Sequence, residues 1–178
     1  MRTLRRPRPG LLCDRRGFGL IELLIAMNLM AIGILGLFAM FQAGIVQIRR
    51  AGTVSTAAAL AEAEMENYRA IPYGSIGLPE EDLDAIPPSD PYKTDGAYAA
   101  GSLVVLPVCG APPCTTSTPV QAKTGADGRQ YRVDTFMSWQ TPANGRNLKL
   151  VTIVIRDAAA PARMWARVVS AFDESTGT

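Results

Sequence analysis

The sequence predicts an α+β fold, in which a long N-terminal helix precedes a small antiparallel β-sheet. Two observations lead to this prediction. An apolar run that begins at Phe18 passes into a segment with helical periodicity, and four segments with strand character follow in the second half of the chain. Because those segments follow one another with short links, they favour a meander that covers the amphipathic part of the helix.

The apolar run is long enough to span a membrane. From Phe18 to Phe41 the strongly polar side chains are Glu22 and Asn28. As a helix this run extends over ~36 Å at ~1.5 Å per residue, more than the ~30 Å of hydrocarbon in a bilayer. We expect Asn28 to bond to its own backbone or across a helix interface. A carboxylate inside such a run is costly, so we expect Glu22 to be paired or functional.

Charge divides the chain into a basic leader and an acidic remainder. Residues 1–17 hold six arginines and one aspartate, a net charge of +5, whereas residues 18–178 hold 12 basic and 15 acidic side chains, a net charge of −3. Basic residues before an apolar helix favour retention of that end in the cytoplasm and export of the rest. The acidic remainder does not favour strong binding to nucleic acid.

The residues Gly-Phe-Gly-Leu-Ile-Glu at positions 17–22 follow the basic leader and resemble the class III signal of type IV prepilins and type II secretion pseudopilins. The resemblance implies that a membrane peptidase cuts after Gly17 and methylates the new amino terminus at Phe18. It also implies that Glu22 neutralises the terminal ammonium of a neighbouring subunit, in agreement with the cost of burying an unpaired charge. A plain signal anchor, a secretory signal peptide and a twin-arginine signal fit less well, because the run is long and contains a carboxylate.

The same resemblance implies a structural role in a type IV pilus or a related filament. A minor pilin of the PilV type or a minor pseudopilin is favoured over a major pilin, because no proline interrupts residues 18–71. The implied partners are the prepilin peptidase and methyltransferase, other pilins or pseudopilins, the inner-membrane assembly platform and the lipid bilayer. The implied layout is a removed leader (1–17), a helix (18–70) and an extracytoplasmic head (71–178) on a single-pass inner-membrane anchor. Two alternatives stay open: a DNA-uptake pilus subunit, and an uncleaved anchored binding or sensor module.

Residues 47–70 continue the helix in amphipathic form. Helical spacing predicts an inward face made of Val54, Ala58, Ala61, Met65 and Tyr68. The wetter faces are marked by Arg49, Arg50, Glu62, Glu64, Glu66 and Arg69. Pro72 ends the helix. The alanine-rich inward face allows the sheet to approach closely.

The rest of the chain is predicted as a surface connection and then a sheet. Five prolines lie in residues 72–102, and the acidic cluster at positions 80–84 is expected to be solvated. The spacing of Asp90 and Asp95 does not indicate calcium. The predicted strands are Ser102–Cys109, Arg129–Trp139, Leu148–Arg156 and Arg163–Phe172.

Little in the sequence points to catalysis. The chain has no histidine, which excludes Ser-His-Asp catalysis and histidine metal ligands. Cys13 leaves with the leader, and the remaining pair, Cys109 and Cys114, predicts a disulfide in an exported domain. We therefore expect no enzyme, no cofactor and no metal. The DNA-uptake alternative would use a basic and aromatic patch, whose candidates are Arg129, Tyr131, Arg132, Arg163, Trp165 and Arg167; ordinary strand positions are the favoured interpretation of these residues.

Overall fold

The computed structural model describes residues 19–109, 114–142 and 145–175. Its helices are α1 (Leu20–Arg69), α2 (Glu80–Ala85) and α3 (Pro91–Thr94), with 3-10 turns at Tyr73–Ser75 and Ala100–Ser102. Its strands are β1 (Val120–Thr124), β2 (Gln130–Gln140), β3 (Leu148–Asp157) and β4 (Met164–Phe172). Contacts divide the chain into two units, Met1–Gln47 and Ile48–Thr178. The predicted α+β fold class is confirmed.

Helix α1 has an apolar first part whose side chains are exposed. Its most apolar 18-residue window has a mean hydropathy of 2.3 and none of its residues is buried, so length and composition allow this helix to cross a membrane. The helix ends at Arg69, where the amide of Ala70 still bonds to the carbonyl of Glu66 at 3.1 Å. Pro72 then prevents the helix from continuing.

The inward face of the later part of α1 differs from the predicted face in its first two turns. The buried residues are Thr53, Ala57, Ala61, Glu64, Met65 and Tyr68. Val54 is 40% exposed, because the small residues Thr53 and Ala57 form the side on which the head packs. The prediction was also wrong for Glu64, which is buried because Lys123 of β1 pairs with its carboxylate.

The sheet is an antiparallel meander with the order β1-β2-β3-β4, as predicted. Strands β2 and β3 form its centre, with Phe136 opposite Thr152, and β4 continues with Val168 opposite Ile153. The predicted bounds of these three strands are correct to within one residue at each end. Alternation of apolar and polar side chains therefore located β2 and β3, whereas β4 was placed by the Ala-Ala-Ala-Pro segment at residues 158–161 that precedes it.

The predicted strand Ser102–Cys109 is wrong, and the first strand is Val120–Thr124. The earlier segment changes partners too often to form a ladder. Its backbone makes single bridges, from Leu103 to β2 and from Val105 to Leu78. Pro107 adds a residue without an amide donor.

Both faces of the sheet are covered within the unit Ile48–Thr178. Successive strand residues point to opposite faces. One face meets α1. On the other face Tyr92 stacks on Phe136 with ring centres 4.3 Å apart, and its hydroxyl donates to the carbonyl of Thr135 at 2.7 Å. The connection between α1 and the sheet is thus part of the core, with Ile76, Leu78, Leu83, Tyr92 and Val104 all buried. The prediction of a surface loop was wrong in this respect, although Glu80, Glu81 and Asp84 are exposed as expected.

Candidate functional site

The described part of the N-terminal motif begins at Gly19, so Gly17 and Phe18 lie outside the described residues. The amides of Glu22 and Leu23 both bond to the carbonyl of Gly19, at 3.0 and 3.2 Å, and close the first turn of α1. Glu22 lies in that turn, where the helix dipole favours a carboxylate. Among the residues that the structure describes, its side chain has no hydrogen bond or ion pair, so the carboxylate is available to an external cation.

The apolar side chains around Glu22 are exposed in every direction. Leu20 is 80% exposed, Ile21 73% and Ile25 56%. A helix that is apolar on all sides requires a bilayer or other helices around it. The amide of Asn28 donates to the carbonyl of Leu24 at 2.8 Å, one of the two arrangements predicted for it. The Glu22 carboxylate is therefore the one charged group presented by this apolar surface between residues 19 and 48.

Cys109 and Cys114 form a disulfide, as the sequence predicted, with their Cα atoms 4.7 Å apart. Thr115 fixes this region to the head. Its amide donates to the carbonyl of Pro107 at 3.0 Å, and its buried hydroxyl donates to the carbonyl of Gly77 at 2.8 Å. A Cβ at Gly77 would lie 2.5 Å from the side chain of Leu106, so a larger residue there would require Leu106 to move. The disulfide thus belongs to a compact corner of the head.

A buried charge network lies on the sheet face covered by the connection. Its centre is Asp134, which is fully buried. One oxygen of its carboxylate accepts from Nε of Arg132 at 2.7 Å, and the other accepts from Nε of Arg156 at 2.7 Å. Burial raises the pKa of Asp134, and the two guanidinium groups oppose that effect. This network was missed by the sequence analysis, although charged residues on one face of otherwise apolar strands were a usable signal.

The connection supplies two further carboxylates to this network. Asp90 accepts two bonds from the guanidinium of Arg132, one of them at 3.0 Å. Asp95 pairs with Arg156 and also accepts from Arg167 at 2.5 Å. The bond from Arg132 lowers the pKa of Asp90. Three carboxylates thus balance three arginines, and these pairs hold the connection on the sheet.

Asp90 and Asp95, whose spacing in the sequence does not indicate calcium, both pair with arginines in the structure. In the described ranges no group of three or more histidine, cysteine, aspartate or glutamate side chains could hold a metal ion. The two carboxylates neutralise arginines of the sheet instead.

Lys149 is a second buried charge that the sequence did not reveal. Lys149 is 3% exposed, and its ammonium donates to the carbonyls of Tyr73 and Ile76 at 2.7 and 2.8 Å. The same ammonium lies 4.5 Å from the centre of the Tyr73 ring. Burial lowers the pKa of Lys149. These bonds fix the chain where it leaves α1 and begins the connection.

The six basic and aromatic candidates for nucleic-acid binding do not form one patch. Tyr131 is 1% exposed, and Arg132 and Arg167 belong to the charge network. Arg129, Arg163 and Trp165 instead lie around a surface cavity. Tyr131, Arg132 and Arg167 therefore fit the favoured interpretation as ordinary structural positions of the sheet. The other three residues line the cavity.

A family model described as the prokaryotic N-terminal methylation motif matches residues 13–38 of the chain. No curated protein matches the chain. No solved structure matches it either. The matched residues include Gly17, Phe18 and Glu22 and the start of an apolar helix that precedes a four-stranded antiparallel sheet. In its motif and its architecture, the chain resembles type IV pilin-like proteins: the methylation motif leads into a long apolar helix that precedes a four-stranded antiparallel sheet.

Proposed function

We propose that the chain is a minor pilin, a structural subunit of a type IV pilus or a related filament. One observation carries the proposal: the methylation motif leads directly into an apolar helix in which Glu22 is the one charged residue between positions 18 and 48. The helix has the composition of a membrane segment, and the carboxylate lies where a pilin-type terminal amine could meet it. The head contributes surface to an assembly and has no catalytic role in this proposal.

In this proposal the chain enters the inner membrane as a prepilin with its head outside the cytoplasm. The prepilin peptidase removes residues 1–17 by cutting after Gly17, and Phe18 is then N-methylated. Residues 18–70 form the assembly helix and residues 71–178 form the extracytoplasmic head. The assembly platform of the inner membrane then transfers the subunit from the bilayer to the filament.

Glu22 gives this transfer its specificity. A carboxylate within hydrocarbon favours any environment that offers a counter-charge, because an unpaired buried charge is strongly destabilising. The methylated ammonium of a neighbouring subunit offers that charge within a helix bundle. The apolar residues around Glu22 supply close packing, whereas the ion pair sets the axial position of one helix against the next.

The decisive experiment combines intact-mass analysis with filament incorporation. The mature chain should have lost residues 1–17 and gained one methyl group. Glu22→Leu should be processed in the same way, but its fraction in sheared filaments should fall at least roughly tenfold, because the neighbour's ammonium has no partner. Asn28→Leu is the matched control, since it removes the other polar group without a change of charge, and it should assemble like wild type.

Two results would contradict the proposal. A mass that retains residues 1–17 would favour the uncleaved anchored module. Normal incorporation of Glu22→Leu would remove the assembly role of that residue. Co-purification with a secretion complex rather than with a pilus would identify the filament as that of a pseudopilin.

A further inference from the structure

A surface cavity of about 480 Å³ lies in the unit Ile48–Thr178. It forms where α1 enters this unit and meets the β1–β2 and β3–β4 turns. We call it the arginine cleft, after the residues that give it its character: Arg49, Arg50, Arg129, Arg163 and Trp165. The four arginines are all exposed. No role in the proposed assembly mechanism accounts for them.

The arginine cleft carries more positive charge than the described part of the head neutralises. None of its four guanidinium groups forms an ion pair with a described residue. Arg129 donates to the hydroxyl of Thr53 at 3.1 Å, and the guanidinium of Arg163 lies 5.6 Å from the centre of the Trp165 ring. Arg129 and Arg163 are thus positioned by neutral partners, which leaves their charge for a ligand.

Two carboxylates also line the arginine cleft, and local donors occupy them. The two oxygens of Asp127 accept from the hydroxyl of Tyr131 at 2.7 Å and from the amide of Arg129 at 3.1 Å. Asp157 accepts from the amide of Ala159 at 3.0 Å. Four positive charges against two negative charges leave an excess of two.

The chain places Arg49 and Arg50 at a defined distance from Glu22, the charged residue that precedes them in the sequence. Residues 23–48 contain no charged side chain. As a helix they extend over ~39 Å, against ~30 Å of hydrocarbon and ~40–45 Å for a bilayer with its headgroups. The two arginines that follow therefore belong at the depth of the headgroups. Trp165 is an amphipathic ring of the kind enriched at that depth.

We propose that the arginine cleft binds the phosphate of an anionic phospholipid headgroup in the outer leaflet of the membrane that holds α1. This inference rests on the membrane insertion contained in the proposed function. Guanidinium groups match phosphate geometry, and several of them around one cavity suit a single headgroup. A nucleic-acid strand fits less well, since it requires a groove that follows several phosphates and the rest of residues 18–178 is acidic.

The test measures which lipids the full chain retains. The chain is reconstituted in nanodiscs of equal phosphatidylcholine and phosphatidylglycerol, released in mild detergent and examined by native mass spectrometry. Each basic residue near an anionic surface contributes a factor on the order of five, so wild type should retain phosphatidylglycerol preferentially. Arg50→Gln with Arg163→Gln should lower that preference at least roughly fivefold. This pair avoids Arg129, whose bond to Thr53 supports the fold.

The matched control is Arg69→Gln with Arg146→Gln. It removes the same charge from two exposed side chains, and Arg69 lies ~30 Å along α1 from Arg49. The control should keep the preference of wild type. An equal loss in both variants, or no loss in the cleft variant, would overturn the inference.

Two further readouts separate the alternatives. If wild type binds a labelled single-stranded DNA oligonucleotide, and the cleft variant loses that binding while keeping its lipid preference, the cleft is a nucleic-acid site and the inference is overturned. The intact mass from the same spectra reports removal of residues 1–17. A processed chain without lipid preference contradicts this inference alone, whereas a chain that does not enter nanodiscs contradicts both proposals.

Discussion

Replacing Asp134 with asparagine should destabilise the head by about 3 kcal/mol. Loss of one partner from a buried ion pair costs roughly 3–5 kcal/mol, and the lower end applies because two further carboxylates remain nearby. The introduced side-chain amide would offer one acceptor oxygen where the carboxylate offers two, so either Arg132 or Arg156 would face an N–H donor. Loss of the bond should cost more at Arg156 than at Arg132, because the side chain of Arg156 is 7% exposed and that of Arg132 is 15% exposed.

Urea unfolding of the full chain in detergent micelles measures this effect. Both tryptophans, Trp139 and Trp165, lie in the head and report its unfolding by fluorescence. With an m-value of ~2 kcal/mol per molar urea, the midpoint should fall by about 1.5 M. The control is Glu66→Gln, whose partner Arg69 is 3.0 Å away on the exposed side of α1. That change should cost less than about 0.5 kcal/mol. Midpoints that fall equally for both variants would show that burial of the network does not stabilise the head.

Three further outcomes follow from the same contacts. The hydrogen bond from Arg132 lowers the pKa of Asp90. The stability that Asp90 contributes is therefore complete above its unfolded pKa of ~3.9 and is lost as the pH falls through the lower folded value. The difference in urea midpoint between wild type and Asp90→Asn should shrink as the pH is lowered from about 6 to about 2, and a constant difference would contradict the assignment. Lys149→Met should cost about 1–3 kcal/mol, because two buried carbonyls lose their donor, and an unchanged midpoint would show that water replaces the ammonium. Changing Cys109 and Cys114 together to serine should lower stability by at most ~2 kcal/mol for so short a loop; peptide mapping of native protein without reductant should give one linked peptide, and two free thiols would contradict the pairing.

Much of the fold is visible in the sequence, because its main signals are periodic. β2 and β3 are runs of ten or more residues rich in apolar side chains with partial alternation, and helical spacing extends through residues 47–70. Such patterns are local and do not depend on distant partners. The motif around Glu22 is local in the same sense, so its place in the chain could be predicted although its partner could not.

The missed features depend on contacts between distant residues. Strand β1 has five residues, of which Val120 and Ala122 are apolar, and this is too little alternation to locate a strand. The burial of Glu64 follows from a lysine 59 residues away. Similarly, the prolines of the connection indicate a surface loop, although Tyr92 within it is buried in the core. None of these outcomes is contained in a local pattern.

The order of the charge network along the chain has a consequence for how the head folds. Asp90 is synthesised 42 residues before its partner Arg132, and Asp95 is synthesised 61 residues before Arg156. The meander joins neighbouring strands and can form from local contacts, whereas the connection must wait for the arginines of β2 and β3. The segment synthesised first is thus fixed last, and the amide of Tyr92 should gain protection from hydrogen exchange after those of the central strands. A premature contact between the connection and the bare helix would keep the two aspartates from their arginines, so solvation of these carboxylates helps to hold the connection open until the sheet exists.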